Sequence, residues 1–174
     1  QALFSEKSEN FAPGRQRIFP VAKPGQSGYN RGILKQSDHV ASTYTVLLSE
    51  LASEFKLDFF YRSTDFDKIH VTVDDISRPG LHLAGFFDHY EPMRVYVCGT
   101  VETAYLQKLT PEERIIIFDH FLSYKCPALI FARGFEPMPE CLEMAKKYDV
   151  TVLGTKDTTS YICLLYTSDA ADVA

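Results

Sequence analysis

Between about Tyr44 and Ile162 the apolar residues recur in two alternating rhythms, one helical and one extended. Leu47, Leu48, Leu51 and Phe55 share one face of a helix over 45–55, with Ser42 or Thr43 as its cap. The stretches 57–61 and 69–73 are rich in aromatic and β-branched residues and predict strands. A loop follows over 74–79, then a short helix over 80–87 with Pro79 near its first turn. Residues 95–98 predict a strand and 101–109 a helix. Thr110 is placed to cap the next helix, over 111–123: Pro111 takes its first position, and Glu112 and Glu113 face the positive end of its dipole. The apolar run 128–132 predicts a strand, 140–148 a helix and 150–153 a strand, and a further helix opens near Thr158. Strands alternating with helices predict βαβ units, hence a single α/β domain with an at least partly parallel sheet.

The flanks lack this rhythm. Residues 1–40 hold Pro13, Pro20 and Pro24 and four glycines without periodicity, which predicts a disordered arm. The first Met is Met93, so the arm reads as upstream sequence translated ahead of an alternative start at Val40. The stretch from Cys163, CLLYTSDAAD, reads as a translated sequencing adapter, so residues 163–174 form a non-native tail. The domain organisation is thus an arm over 1–40, an α/β domain over 41–162 and a tail over 163–174.

Charge sharpens the division. The arm carries six Lys/Arg against three Asp/Glu, and the rest of the chain twelve against twenty, within a net charge of −5. An acidic body argues against a nucleic-acid groove. No apolar run is long enough to span a membrane, and no signal-peptide pattern opens the chain, which predicts a cytoplasmic protein. Cys98, Cys126, Cys141 and Cys163 are widely spaced with no CxxC, as buried free thiols would be.

No catalytic motif emerges from the residues. A phosphate loop needs a Lys and a hydroxyl after its second glycine, whereas Gly80 and Gly85 lead into Phe86 and Phe87. The five histidines show no ligand spacing and read as surface or half-buried residues. The segment from Asp74 to Leu81, DDISRPGL, concentrates two acids, a hydroxyl, a guanidinium and a Pro-Gly where a strand meets a helix. Two readings stand side by side: Asp75 or Ser77 caps the helix, or the helix amides and Arg78 converge on an anion beside Gly80. Gly99 with Thr100, and Arg133 with Gly134, also follow strands directly, and Thr159 and Ser160 lie near a helix start after the last strand. Ligands gather at such positions in open α/β sheets, and turns at the same positions need no ligand.

These same segments resemble one family. Residues 75–90, DISRPGLHLAGFFDHY, are similar to the DISRPGLELAGYFDYY stretch of the HPr kinase/phosphorylase family. In order, GTVE at 99–102 resembles that family's GKTE, LTPEER at 109–114 its LSPEER, ARGFEP at 132–137 its TRGLEP, and Thr159-Ser160 its TS pair. Thr100-Val101 departs from the family's Lys-Thr. The resemblance implies the amino-terminal, non-catalytic domain of a bifunctional, homohexameric bacterial enzyme. With ATP and Mg²⁺ that enzyme phosphorylates a serine of HPr, the phosphocarrier of the sugar phosphotransferase system. It removes the phosphate by phosphorolysis, controlling carbon catabolite repression. It also implies a fold similar to the substrate domain of the Mur ligases, with catalysis in a separate kinase domain, so this chain carries no catalytic residue, cofactor or metal of its own. Asp75, Ser77, Arg78, Gly80, Gly99, Thr100, Arg133, Gly134, Thr159 and Ser160 are then candidates for an anion site or an interface. The alternative is a stand-alone regulatory or small-ligand-binding module without kinase activity.

Overall fold

A computed structural model describes residues 45–72 and 76–162. The expected arm, the cap residues Ser42 and Thr43, the acids Asp74 and Asp75, and the tail from Cys163 lie outside the described residues. In chain order the elements are β1 (Thr45–Leu47), α1 (Leu48–Glu54), β2 (Asp58–Tyr61), a 3-10 turn (Phe66–Lys68), β3 (His70–Thr72), β4 (Ile76–Ser77) and α2 (Gly80–Leu83). Then come β5 (Val95–Cys98), α3 (Thr100–Gln107), α4 (Pro111–Ser123), β6 (Ala128–Phe131), α5 (Pro139–Tyr148) and β7 (Thr151–Gly154). The chain turns helical again over 159–162.

The fold is α/β. Five strands form one sheet in the order β2-β7-β6-β5-β4, in which β4 to β7 run parallel and β2 is antiparallel to β7. β1 and β3 pair antiparallel as a separate ribbon. Each parallel strand is followed in sequence by its neighbour in space, and the helical crossovers all pack on one face, as right-handed connections require. On that face Tyr96, Cys98, Leu129, Phe131 and Val152 meet apolar residues of α2 to α5, among them Leu83, Leu106, Phe121 and Cys141. On the other, Val95, Val97, Ala128, Ile130 and Leu153 meet α1, the 3-10 turn and the ribbon through Leu48, Leu51, Phe66 and Val71. Successive strand residues point to opposite faces, and both faces are covered, so β5, β6 and β7 read as unbroken apolar runs.

Three sequence expectations need correction. The helix expected over 45–55 starts only at Leu48: β-branched Thr45 and Val46 pair with β3, and tertiary pairing overrides the helical spacing. Its start is bounded by Glu50, whose carboxylate accepts the Leu47 amide at 3.2 Å. The loop expected over 74–79 contains β4, a two-residue strand that exists through its pairing with Val95 and Tyr96. The helix expected over 80–87 stops at Leu83, and Gly85 follows with φ 97°, a conformation that favours glycine.

Other elements form as their residues dictate. Thr110 and Glu113 cap α4 reciprocally: the Glu113 amide donates to Thr110 Oγ1 at 3.3 Å, and the Thr110 amide to the Glu113 carboxylate at 2.9 Å. Cys98, Cys126 and Cys141 are buried free thiols. His120 is more buried than expected, at 8 % exposure.

Candidate functional site

Because β4 to β7 are parallel, the loops that leave their carboxyl ends emerge along one edge of the sheet. Ser77 ends β4, and Arg78 and Gly80 follow it; Gly99 and Thr100 follow β5; Arg133 and Gly134 follow β6; Thr159 and Ser160 follow β7. The topology thus gathers nine of the ten candidates along that edge, and Asp75 lies outside the described residues.

At the centre stands a residue that was not among the candidates, Glu102. It sits in the first turn of α3 at 4 % exposure. Its Oε2 accepts Nη2 of Arg78 at 2.7 Å and the Gly99 amide at 3.0 Å. Burial pushes the Glu102 carboxyl up, but hydrogen bonds from Arg78, Gly99 and its own amide outweigh it and hold the group below the usual carboxylate range. Two glycines make room for this arrangement. A Cβ on Gly99 would lie 2.8 Å from Thr159 Oγ1 and 3.2 Å from Arg78 Nη2. One on Gly80 would lie 3.3 Å from Glu102 Oε1. Arg78, Gly80 and Gly99 therefore close around one carboxylate, and Thr159 from a third loop lies against Gly99. Half of the Arg78 side chain remains in solvent.

The remaining candidates have separate duties. Ser77 Oγ accepts Nη1 of Arg94 at 3.1 Å, which ties it to the loop before β5 rather than to the amides of α2. Arg133 and Gly134 adopt positive φ, 62° and 69°, and turn the chain after β6. Their amides donate to the Asp157 and Thr155 carbonyls at 2.8 and 2.7 Å, so the loop leaving β7 folds over the end of β6. Thr158 Oγ1 accepts the Tyr161 amide at 3.2 Å, while Thr100 and Ser160 lie exposed at helix starts. Glu102 was legible in principle: Gly99-Thr-Val-Glu places a carboxylate three residues after a helix-start residue, the spacing that reaches back to its amide.

Chemically, the edge presents an ionised carboxylate already engaged by a cation and an amide. It has no proton to give near neutral pH, and the thiol beneath it, Cys98, is pushed well above its ordinary value by burial. Among the described residues no group of three or more His, Cys, Asp and Glu could hold a metal ion, and no helix is long and apolar enough to cross a membrane.

An open α/β domain whose parallel strands run in sequence order, with converging loops at their carboxyl edge, is a class of fold that hosts many chemistries. Family comparison narrows the class. Residues 46–167 match the family described as HPr Serine kinase N terminus, and the chain belongs to that family. It is 36 % identical over 117 residues to an HPr kinase/phosphorylase of Lachnoclostridium phytofermentans, a match covering 67 % of this chain and 38 % of that protein. One from Streptococcus thermophilus is 38 % identical over 116 residues, with the same shares covered. One from Lactiplantibacillus plantarum is 34 % identical over 118 residues, 68 % of this chain and 38 % of the relative. The chain thus spans well under half the length of the curated relatives it matches. A solved structure of the CBS and DRTGG domains of the regulatory region of a Clostridium perfringens pyrophosphatase, complexed with the activator diadenosine tetraphosphate, is also similar. Its TM-score is 0.48 at 14 % identity, and the match covers 68 % of this chain and 45 % of that one.

Proposed function

We propose that this chain is the amino-terminal, non-catalytic domain of a bifunctional HPr kinase/phosphorylase. In that reading the parent enzyme, a homo-oligomer in the cytoplasm, uses ATP and Mg²⁺ to phosphorylate a serine of HPr and removes the phosphate by phosphorolysis, in carbon catabolite regulation. The domain occupies residues 41–162 and contributes no catalytic, cofactor or metal residue. The observation that carries this is the match itself: a family described as an amino terminus, aligned to 38 % of each of several HPr kinase/phosphorylases. The test is the nucleotide sequence beyond codon 162 in the parent genome. A downstream G-x-x-x-x-G-K-[ST] is the expected result. A stop codon directly after the domain would overturn the reading in favour of a stand-alone regulatory or ligand-binding module.

For the carboxyl edge, the pairing favours an interface or positioning role over capture of a free anion. An anion approaching Arg78 would have to displace or lie beside a buried carboxylate only 2.7 Å from the guanidinium. The purified chain mixed with HPr, ATP and Mg²⁺ is expected to leave HPr unphosphorylated by mass spectrometry. Transfer at the rate of a full-length relative would contradict the non-catalytic assignment.

A further inference from the structure

Beneath the helical face, the loop between α2 and β5 is held by aromatic rings in which two histidines are embedded. Phe87 packs on His120 of α4 with ring centroids 4.1 Å apart, and it stacks on Tyr124 at 5.1 Å. Tyr90 stacks on Tyr96 of β5 at 5.2 Å and meets Phe121 edge-on at 5.7 Å. His82 of α2 stands edge-on to Tyr90 at 5.2 Å and to Tyr96 at 5.4 Å. Phe87 and Tyr90 are the aromatic anchors of residues 85–94, beside the Glu91 backbone bonds to the Tyr96 hydroxyl and the Arg94 bond to Ser77. Around them the loop exposes Phe86, Asp88, His89 and Met93.

The polar atoms in this packing are poorly provided for. His82 Nδ1 and His120 Nε2 are buried without a hydrogen-bond partner among the described residues. The Tyr90 hydroxyl is likewise buried without a hydrogen-bond partner among the described residues. A neutral imidazole can leave one nitrogen unsatisfied at modest cost. An imidazolium presents two N–H donors and a charge, and here one donor of each ring would point into aromatic carbon. Opening the loop would hydrate both rings at once.

We infer that residues 85–94 form a proton-released strap: protonation of His82 and His120 expels Phe87 and Tyr90 from the ring cluster and frees the loop while the sheet stays folded.

The charges around the cluster do not rescue the protonated rings. From α4, Asp119 attracts a proton to His120, but Lys147 and Tyr148 of α5 already bind its carboxylate. Lys125, after α4, is itself cationic. From the loop, Glu91 is engaged by Arg94, while Asp88 and His89 are exposed. At the start of α2, Arg78 and Glu102 neutralise each other, and β5 contributes only the Tyr96 hydroxyl, which donates to the Glu91 carbonyl at 3.1 Å. Burial is accordingly the largest effect on both histidines and holds both below the ordinary imidazole value. The closed strap is favoured above about pH 6.5, where free imidazole is neutral, and loses ground as pH falls below it.

The test is amide hydrogen exchange of the whole chain, corrected for intrinsic rates, from about pH 7.5 to about pH 5.5. Closure that weakens a histidine's proton affinity raises the opening constant, as pH falls, by up to the same factor. Protection across 85–94 is therefore expected to fall toward acid pH, with protection of β5, β6 and β7 unchanged. The variant His82→Phe/His120→Phe keeps the rings without the proton site, and its loop should show a flat profile. His89→Ala should behave as wild type. Should the double variant not fold, His82→Gln and His120→Gln separately should each weaken the pH dependence. A flat wild-type profile, an unaltered dependence in these variants, or a fall shared equally by the strands would each overturn the strap.

Discussion

The two ends of the sheet are each closed by one carboxylate, and the two are built differently. At the carboxyl edge Glu102 is buried, pairs with a guanidinium and fits only because residues 80 and 99 lack side chains. At the amino edge Asp149 ends α5 in a left-handed conformation, φ 55°. It accepts the Tyr61 hydroxyl at 2.8 Å, the Thr64 amide at 3.1 Å and the Thr64 hydroxyl. Its donors are neutral and its surroundings wet. Beside it, Ser63 and Thr151 share a buried hydroxyl pair at 2.7 Å. Both carboxyls are held below the usual range, Glu102 against burial and Asp149 chiefly by its bonds to Thr64 and Tyr61. A buried acceptor leaves its donors stranded when removed, whereas water replaces an exposed one. The carboxyl edge should therefore be the more fragile.

Substitutions can break this contrast in a graded way. Glu102→Ala strands the Gly99 amide and Arg78 and should lower unfolding stability by about 2–3 kcal/mol in urea titration. Glu102→Gln should recover part of that. Wild type's advantage over Glu102→Ala exists above the carboxylate's unfolded value and should fade as pH falls below about 4. Arg78→Ala leaves the buried Glu102 carboxylate without its cation and should cost about 1–3 kcal/mol, and Arg78→Lys, which keeps the charge, should cost less. Gly99→Ala should cost about 1–2 kcal/mol by crowding Thr159, and adding Thr159→Ala should return part of the loss, a coupling readable in a double-mutant cycle. Asp149→Asn should lower the thermal midpoint by less than any of these alanine variants, because its acceptor oxygen persists and water is at hand. A larger penalty for Asp149→Asn than for Glu102→Ala would invert the comparison.

Elements whose signals are local were legible from residue order, and two that depend on distant partners were not. α4 announces itself through Thr110, Pro111 and Glu113, and β5, β6 and β7 through apolar runs, because these signals are local. β1 and β4 are three and two residues long and owe their form to partners elsewhere in the chain, so Thr45-Val46-Leu47 passed for helix and Ile76-Ser77 for loop. At the candidate site, strand ends followed by Gly or Arg pointed to the carboxyl edge of the sheet. Glu102 escaped because a helix-start carboxylate normally reads as a cap. Only packing reveals that this one also receives Arg78 from another loop.

The order of strands carries a consequence for synthesis. β4 to β7 each find a partner in a strand made immediately before or after, whereas β2 waits: Asp58 pairs with Gly154, nearly the whole domain later. On the ribosome, β2 emerges early and stays unpaired while the rest of the sheet is made, with Phe59 half exposed and Phe60 partly exposed even in the finished fold. Closing so long a loop is the slowest kind of contact to form, so β2 should dock last. Any pause in translation before β7 would hold a short aromatic strand open to passing chains, and that interval is where a chaperone would matter most.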